Sequence, residues 1–304
     1  MSDIDPKKDI PDLNGKVILI TGGTAGVGAE TLVQLAHHKP AHLLFTGRNP
    51  KSAETTINKV HAVSSSVKVS FVQCDLADLA SVKSASEKLV SELSRLDVLV
   101  CNAGIMAVPA ALSKDGYEIH FATNHLGHAL LTKKLLPLLQ ASAQSGNDPR
   151  IIMVSSVAWR GTPRGGIVFD KLKTTQEAAI LGRWLRYGQS KLANMLYARE
   201  LAERYPEILS LSITPGVVRT ALVNDLSLAD KALVFVPNIG KMKTPEEGTY
   251  NTLWAMTAPR EGIKPGVFYE PVGKPTKMES KASRDLDLSK TLWEWTDNEL
   301  ATWM

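Results

Sequence analysis

The chain has 304 residues, with 35 lysines and arginines against 31 aspartates and glutamates for a formal net charge of +4, and it is 44% apolar and 22% charged. That balance belongs to a soluble globular protein and excludes a disordered, collagen-like or coiled-coil chain. The positive excess is too thin, and too free of basic runs, to read as a nucleic-acid footprint. Apolar stretches such as KVILI and DVLVC are strand-sized, whereas a membrane helix takes ~20 consecutive apolar residues, so no integral membrane segment is expected. Residues 1–14 carry Pro6, Pro11 and scattered charge and read as an exposed arm, with Leu13 able to pack against the body. This opening lacks the apolar core of a secretion signal, which makes a cytoplasmic protein the expectation.

From Lys16 onward short apolar runs alternate with longer amphipathic segments. KVILIT is followed by a helix over 26–38, HLLFTG (42–47) by a helix over 51–62, and KVSFVQC (68–74) by a helix over 79–94. DVLVCNAG (97–104) precedes a long helix from about Tyr117 to Leu139, IIMVSS (151–156) precedes a helix through 186–203, and LSLSITPG (209–216) is the sixth run. GVFYEP (266–271) reads as the last strand, and LSKTLWEWTDNEL as a closing helix in which Trp293 and Trp295 are packing residues. The strands are continuous apolar runs, as strands buried on both faces are. The pattern predicts one α/β domain over 15–304, doubly wound, with a mostly parallel seven-stranded sheet. Cys74 and Cys101 each close an apolar run and read as buried thiols, not a disulfide. Two stretches, 157–186 and 221–243, leave the alternation just after strand ends, where open α/β sheets bind ligands, and are the expected walls of a substrate pocket.

TGGTAGVG (21–28) sits between the first strand and the first helix, so Gly22, Gly26 and Gly28 let backbone approach a pyrophosphate at the positive helix N-terminus. An NAD site would carry a carboxylate ~20 residues beyond this turn to hold the ribose 2′-hydroxyl. Gly47 stands there instead, with Arg48 next to it and no acid between Glu30 and Glu54, which favours the 2′-phosphate of NADP. Asp75, after the third strand, can either cap the following helix or accept from an adenine amino group. Tyr187 and Lys191, four apart in YGQSK, lie on one helix face, and a nearby ammonium favours a phenolate, so the pair can exchange a proton with a substrate. His120, His125 and His128 fall close together in sequence, but no cysteine or carboxylate joins them, and no metal is expected.

Taken together in this order, TGGTAGVG, NAG (102–104), NHLGH (124–128), VSS, YGQSK and PGVVRT (215–220) resemble the short-chain dehydrogenase/reductase family from about 15 to 275. TGRN, NHLGH, SKLAN and LWE are phrases similar to its retinol dehydrogenase-like and protochlorophyllide reductase-like branch. The resemblance implies a Rossmann-type fold and a catalytic set of Asn124, Ser156, Tyr187 and Lys191. Ser156, with Ser155 as the fallback, would bond the substrate oxygen, and Tyr187 would give or take the proton. Lys191 would bind the nicotinamide ribose and depress the Tyr187 pKa, and Asn124 would hold a water leading to solvent. It further implies a cofactor cleft lined by Gly22, Thr24, Gly26, Val27, Gly28, Arg48, Asp75, Leu76, Asn102, Ala103, Gly104, Tyr187, Lys191, Pro215, Gly216, Val218 and Thr220.

The stretch between Ser156 and Tyr187 is longer than in much of the family, and an N-terminal membrane anchor such as some of that branch carry is not expected. The resulting expectation is an NADP(H)-dependent oxidoreductase that interconverts a carbonyl and an alcohol on an apolar, fairly bulky small molecule. Its alternatives are reduction of a carbon–carbon double bond and cofactor binding without catalysis. Family members commonly pair through the helices carrying Asn124 and Tyr187, so a homodimer or homotetramer is implied.

Overall fold

The computed structural model describes residues 5–178, 181–220, 223, 226–277 and 280–304. Strands β1 (Val17–Thr21), β2 (His42–Gly47), β3 (Lys68–Gln73), β4 (Val98–Cys101), β5 (Arg150–Val154), β6 (Leu209–Ile213) and β7 (Phe268–Glu270) are parallel, and β8 (Lys274–Pro275) is antiparallel to β7. Their order is β3-β2-β1-β4-β5-β6-β7-β8, so the sheet has eight strands and not seven. The eighth is two exposed residues in a polar stretch and carries no apolar run that a sequence pattern could register.

The continuous apolar strands follow from burial on both sides. In β1, Ile18 and Ile20 join one core cluster and Leu19 the other; in β4, Val98 and Val100 divide from Leu99 and Cys101 in the same way. Helices α2 (Gly26–Ala36), α3 (Pro50–Val63) and, later in the chain, α9 (Pro245–Thr257) cover the first face. On the second face lie α4 (Leu79–Glu92), α6 (Gly127–Gln144) and α7 (Gly182–Arg204), over which α11 (Leu286–Leu300) is laid. Smaller pieces are α1 (Pro6–Asp9), α5 (Ile119–Phe121), α8 (Leu228–Phe235) and α10 (Lys281–Arg284).

The order reverses between β1 and β4, so the carboxyl ends of these strands flank the switch point where such sheets bind ligands. The arm is less free than its composition suggests: both Ile10 and Leu13 are buried in the first cluster, and the Leu13 N–H donates to the His38 carbonyl at 2.8 Å.

Helix α9 is absent from the sequence reading although its start is written plainly. Thr244 and Glu247 form a reciprocal capping box around Pro245. The expected helix from Tyr117 is in fact α5, a π-helical turn at Ala122–Leu126, and then α6. Both thiols are buried, and burial pushes Cys74 and Cys101 up to about 12. No helix among the described residues is long and apolar enough to cross a membrane.

Candidate active site

The glycine-rich turn closes on the end of β4. Gly22 takes φ +70, and a side chain there would lie 2.9 Å from the Ala103 Cα; at Gly28 it would lie 2.4 Å from the Gly22 carbonyl oxygen. Thr21 ties the two strand ends together: its hydroxyl oxygen accepts the N–H of Asn102 and of Ala103, each at 2.9 Å, and its carbonyl accepts the Asn102 carboxamide at 2.8 Å. Ala25, at the start of α2, brings no side-chain acceptor, so the first amides of that helix have no side-chain cap. Thr24 packs against Gly47, and Arg48 is exposed beside it. Among the described residues the Arg48 guanidinium makes no ion pair, while its carbonyl accepts from Gln73. Residues 214–220 return to the same place: Thr220 faces Gly26, and Val218 meets Val27 across Gly248. Pro215 and Gly216, the latter at φ +83, make the bend. This cradle, narrow at its glycines and lined by free amides, fits a dinucleotide.

Asp75 does not cap a helix. Asp78 caps α4, accepting from Ala80 and Ser81, while Asp75 accepts from the Ala77 N–H in a local turn. Leu76 is buried, with its carbonyl against Gly127.

The proposed catalytic residues converge at the end of β5. Ser156 follows the strand and opens the short turn Val157–Arg160, and its hydroxyl lies against the Tyr187 phenol. The Ser155 hydroxyl donates instead to the Lys191 carbonyl at 2.7 Å. The turn approaches α7 at Gly188, where a side chain would sit 2.4 Å from the Gly161 carbonyl oxygen and 2.6 Å from that of Ala158. Lys191 donates to the Val154 carbonyl at 3.0 Å, with its ammonium 5.8 Å from the Tyr187 ring centre. Gly104 lies against both Lys191 and the Asn124 carboxamide. Asn124, on the π-helical turn, exchanges hydrogen bonds with Ile105 and donates to Ser190 at 2.9 Å, and Ser190 donates to the Tyr187 carbonyl at 2.8 Å.

Burial governs the protons here. It pushes the Tyr187 phenol up to about 12, against a smaller opposing pull from Ser156, and draws Lys191 down to about 8. Loss of solvation outweighs the Ser156 bond, so the phenol of this structure stands above its ordinary value.

His128 connects the two halves of the site. Its Nδ1 meets the Asn124 carbonyl at 3.0 Å, and a carbonyl only accepts, so the proton is on Nδ1. Burial lowers this imidazole to about 4, so it is neutral, and Nε2 accepts the Thr21 hydroxyl at 2.8 Å. His120 is held by Glu118 at 2.8 Å and His125 by Thr296 at 2.9 Å. Among the described residues no cluster of histidine, cysteine and carboxylate groups comes together that could hold a metal ion.

The first excursion, 157–186, has two parts. Trp159, Ile167 and Leu172 are buried in the core beside α7, whereas Trp184 reaches the site, its ring 6.2 Å from Tyr187. Residues 179–180 of this stretch, and 221, 222, 224 and 225 of the second, lie outside the described residues. From the second excursion Val223, Leu226, Val234 and Phe235 form an apolar cluster with Met106, Ala107 and Trp184.

The positions missed in the sequence were Thr21, His128, Gly188, Ser190 and Asn194, the last sharing the Val154 carbonyl with Lys191. NHLGH and SKLAN already contained three of these.

A family model described as short chain dehydrogenase matches residues 16–170. The chain is 34% identical to a short-chain dehydrogenase/reductase, drtF, from Aspergillus calidoustus, covering 96% of this chain and 95% of that protein. It is also 34% identical to a polyprenol dehydrogenase from Danio rerio, covering 94% and 87%. Among solved structures it is similar to an uncharacterized protein from Mycobacterium Paratuberculosis, with a TM-score of 0.73 at 28% identity over 96% of both chains.

Proposed function

The chain belongs to the short-chain dehydrogenase family, whose members bind a nicotinamide cofactor, and from that premise we propose an NADP(H)-dependent oxidoreductase that interconverts a carbonyl and an alcohol on an apolar, bulky substrate. The observation that carries the reading is the meeting of Ser156 and Tyr187 hydroxyls beside Lys191, with Asn124 bonded into the same network. The Ser156 hydroxyl bonds the substrate oxygen. The Tyr187 phenol, protonated well above neutral pH, gives that oxygen its proton in reduction and takes it back in oxidation. Lys191 and the Asn102–Gly104 turn hold the ribose side of the cofactor, which when bound supplies or accepts the hydride. Arg48 grips the 2′-phosphate, a reading supported by its freedom from ion pairs among the described residues and by glycine at position 47. Met106, Trp184, Leu226 and Phe235 wall the substrate and keep water out. A relative whose name specifies a polyprenol, an apolar alcohol, is in keeping with this lining.

The test is NADPH oxidation against a panel of apolar aldehydes and ketones, with product analysis. An alcohol product supports the reading, and a saturated carbonyl product from an enone, or cofactor binding without turnover, overturns it. Tyr187→Phe is expected to lower turnover by ~10³-fold while NADPH still binds.

A further inference from the structure

Three side chains that apolar packing alone would not place in a core lie beside the site. Glu118 and His120 are 0% exposed and Arg186 is 4% exposed, and the reaction assigned above uses none of them. Groups of this kind stay buried only where each finds partners. Glu118 opens α5: its Oε2 accepts the Phe121 N–H at 2.8 Å, while its Oε1 lies 2.8 Å from His120 Nδ1 and 3.3 Å from Arg186 Nε. The Val108 N–H reaches His120 Nε2 at 3.2 Å. A backbone amide only donates, so Nε2 is the acceptor and the ring carries its proton on Nδ1, where Glu118 receives it. Arg186 closes the other side, donating from Nη2 to the Val108 carbonyl and from Nη1 to the Gln176 carbonyl, each at 3.2 Å. Both backbone groups of Val108 are therefore held by side chains that meet on Glu118.

Val108 anchors one wall of the site. Residues 105–110 follow β4 without regular structure, so side chains must supply what a strand ladder or helix would otherwise give. At one end the Ile105 N–H and carbonyl exchange hydrogen bonds with Asn124, and at the other Val108 is gripped by His120 and Arg186. Between these fixed points Met106 and Ala107 join the apolar cluster with Trp184, Leu226 and Phe235. Ala107 takes φ +50, a left-handed conformation that a residue with a Cβ keeps only where its surroundings impose it. The grip on Val108 supplies that constraint.

We propose that His120 is a positioning residue for the substrate: oriented by Glu118 and paired with Arg186 across Val108, it fixes Met106 and Ala107 and so sets how well the site holds a long apolar chain. The role rests on the reading of that cluster as the substrate's wall. His120 passes the Tyr187 ring at 6.3 Å between centroids and acts through the backbone of Val108, not on the reacting atoms. A substrate long enough to reach Met106 feels the loss of the grip, and a compact one does not.

Removing Glu118 would strand the Arg186 charge in the core, so the test is made at His120. His120→Leu keeps bulk and loses the acceptor, whereas His120→Gln returns an acceptor to the Val108 N–H. NADPH-dependent reduction of decanal and of propanal is measured for the native chain and both variants, together with deuterium exchange at the Val108 amide. His120→Leu is expected to raise KM for decanal by about tenfold with kcat and the propanal values within about twofold of native, and His120→Gln to recover most of the loss. The Val108 amide is expected to exchange slowly in the native chain and in His120→Gln, and quickly in His120→Leu. Equal losses on both aldehydes, a lowered thermal midpoint with unchanged kinetics, or no recovery in His120→Gln overturns the proposal. So does rapid exchange at Val108 in the native chain, a reading that stands even where the leucine variant does not fold. If the native chain reduces neither aldehyde, it is the assigned reaction that fails, and exchange at Val108 in the native chain and the two variants still decides whether His120 holds the wall.

Discussion

Lys191 and Tyr187 share one buried space, and the loss of solvation moves their protons apart: it draws the lysine down to about 8 and pushes the phenol up to about 12. In carbonyl reduction both must be protonated, the phenol to donate and the lysine to keep its charge. The kcat/KM for NADPH-dependent reduction is therefore expected to be level through neutrality and to fall about tenfold per pH unit above about 8. A profile that stays level until the phenol ionises would show that the lysine charge is not needed. Cofactor preference is a second matter for single side chains. Arg48→Glu is expected to lower the NADPH over NADH preference by ~10-fold or more, read as the ratio of kcat/KM values. Gly47→Asp is the poorer probe, because a side chain there would come within 2.5 Å of Thr24 and disturb the phosphate turn itself. At this scale residue identity was legible and residue environment was not. VSS offers two serines, and only the bond from Ser155 to the Lys191 carbonyl shows why the second one faces the site. Asp75 and Asp78 are both placed to cap a helix by sequence, and only the bonds from Ala80 and Ser81 show that Asp78 is the cap.

The elements place these groups through contacts no local pattern reveals. Helix α7 was expected from its period, yet the glycine at 188 is what admits the Val157–Arg160 turn and brings Ser156 to the phenol. Gly188→Ala forces a methyl onto two carbonyl oxygens and is expected to cost ~1–3 kcal/mol in stability, read from thermal or urea unfolding. Turnover is expected to fall further than the lost stability explains, because Ser156 moves with the turn. The π-helical turn was hidden for a related reason: ATNHL has ordinary helical composition, and the bonds that Asn124 makes are to Ile105 and Ser190, far away in sequence. The start of α9 is the opposite case. Thr-Pro-Glu-Glu is a strong local signal, with both halves of a capping box and a proline in the first turn.

At the scale of the molecule, the sheet order and the two-sided core were written in the alternation of apolar runs. What composition did not convey is how deeply the histidines are set. Burial lowers His125 from 6.5 to about 3 and His128 from 6.5 to about 4. Unfolding returns both to their ordinary affinity, so below about 6.5 the unfolded chain takes up protons that the folded one refuses. Stability present above that value is expected to be lost on acidification towards 4 and then 3, at ~1.4 kcal/mol per pH unit for each histidine. Unfolding midpoints measured from pH 7 down to 4 check this, and a level curve would contradict it.

Helix α11 extends the same theme, because it covers the outward side of α7. Trp293 stacks on Tyr197 with centroids 4.9 Å apart, Thr296 bonds His125, and Glu299 accepts from the Tyr117 hydroxyl. Pairing of copies through α6 and α7, as the resemblance implies, would have to include α11 or displace it. The same covering couples distant parts of the chain. Backbone amides around the proton donor cannot open to deuterium on their own, and their exchange should slow or quicken in step with those of a segment about a hundred residues further along, as one cooperative block.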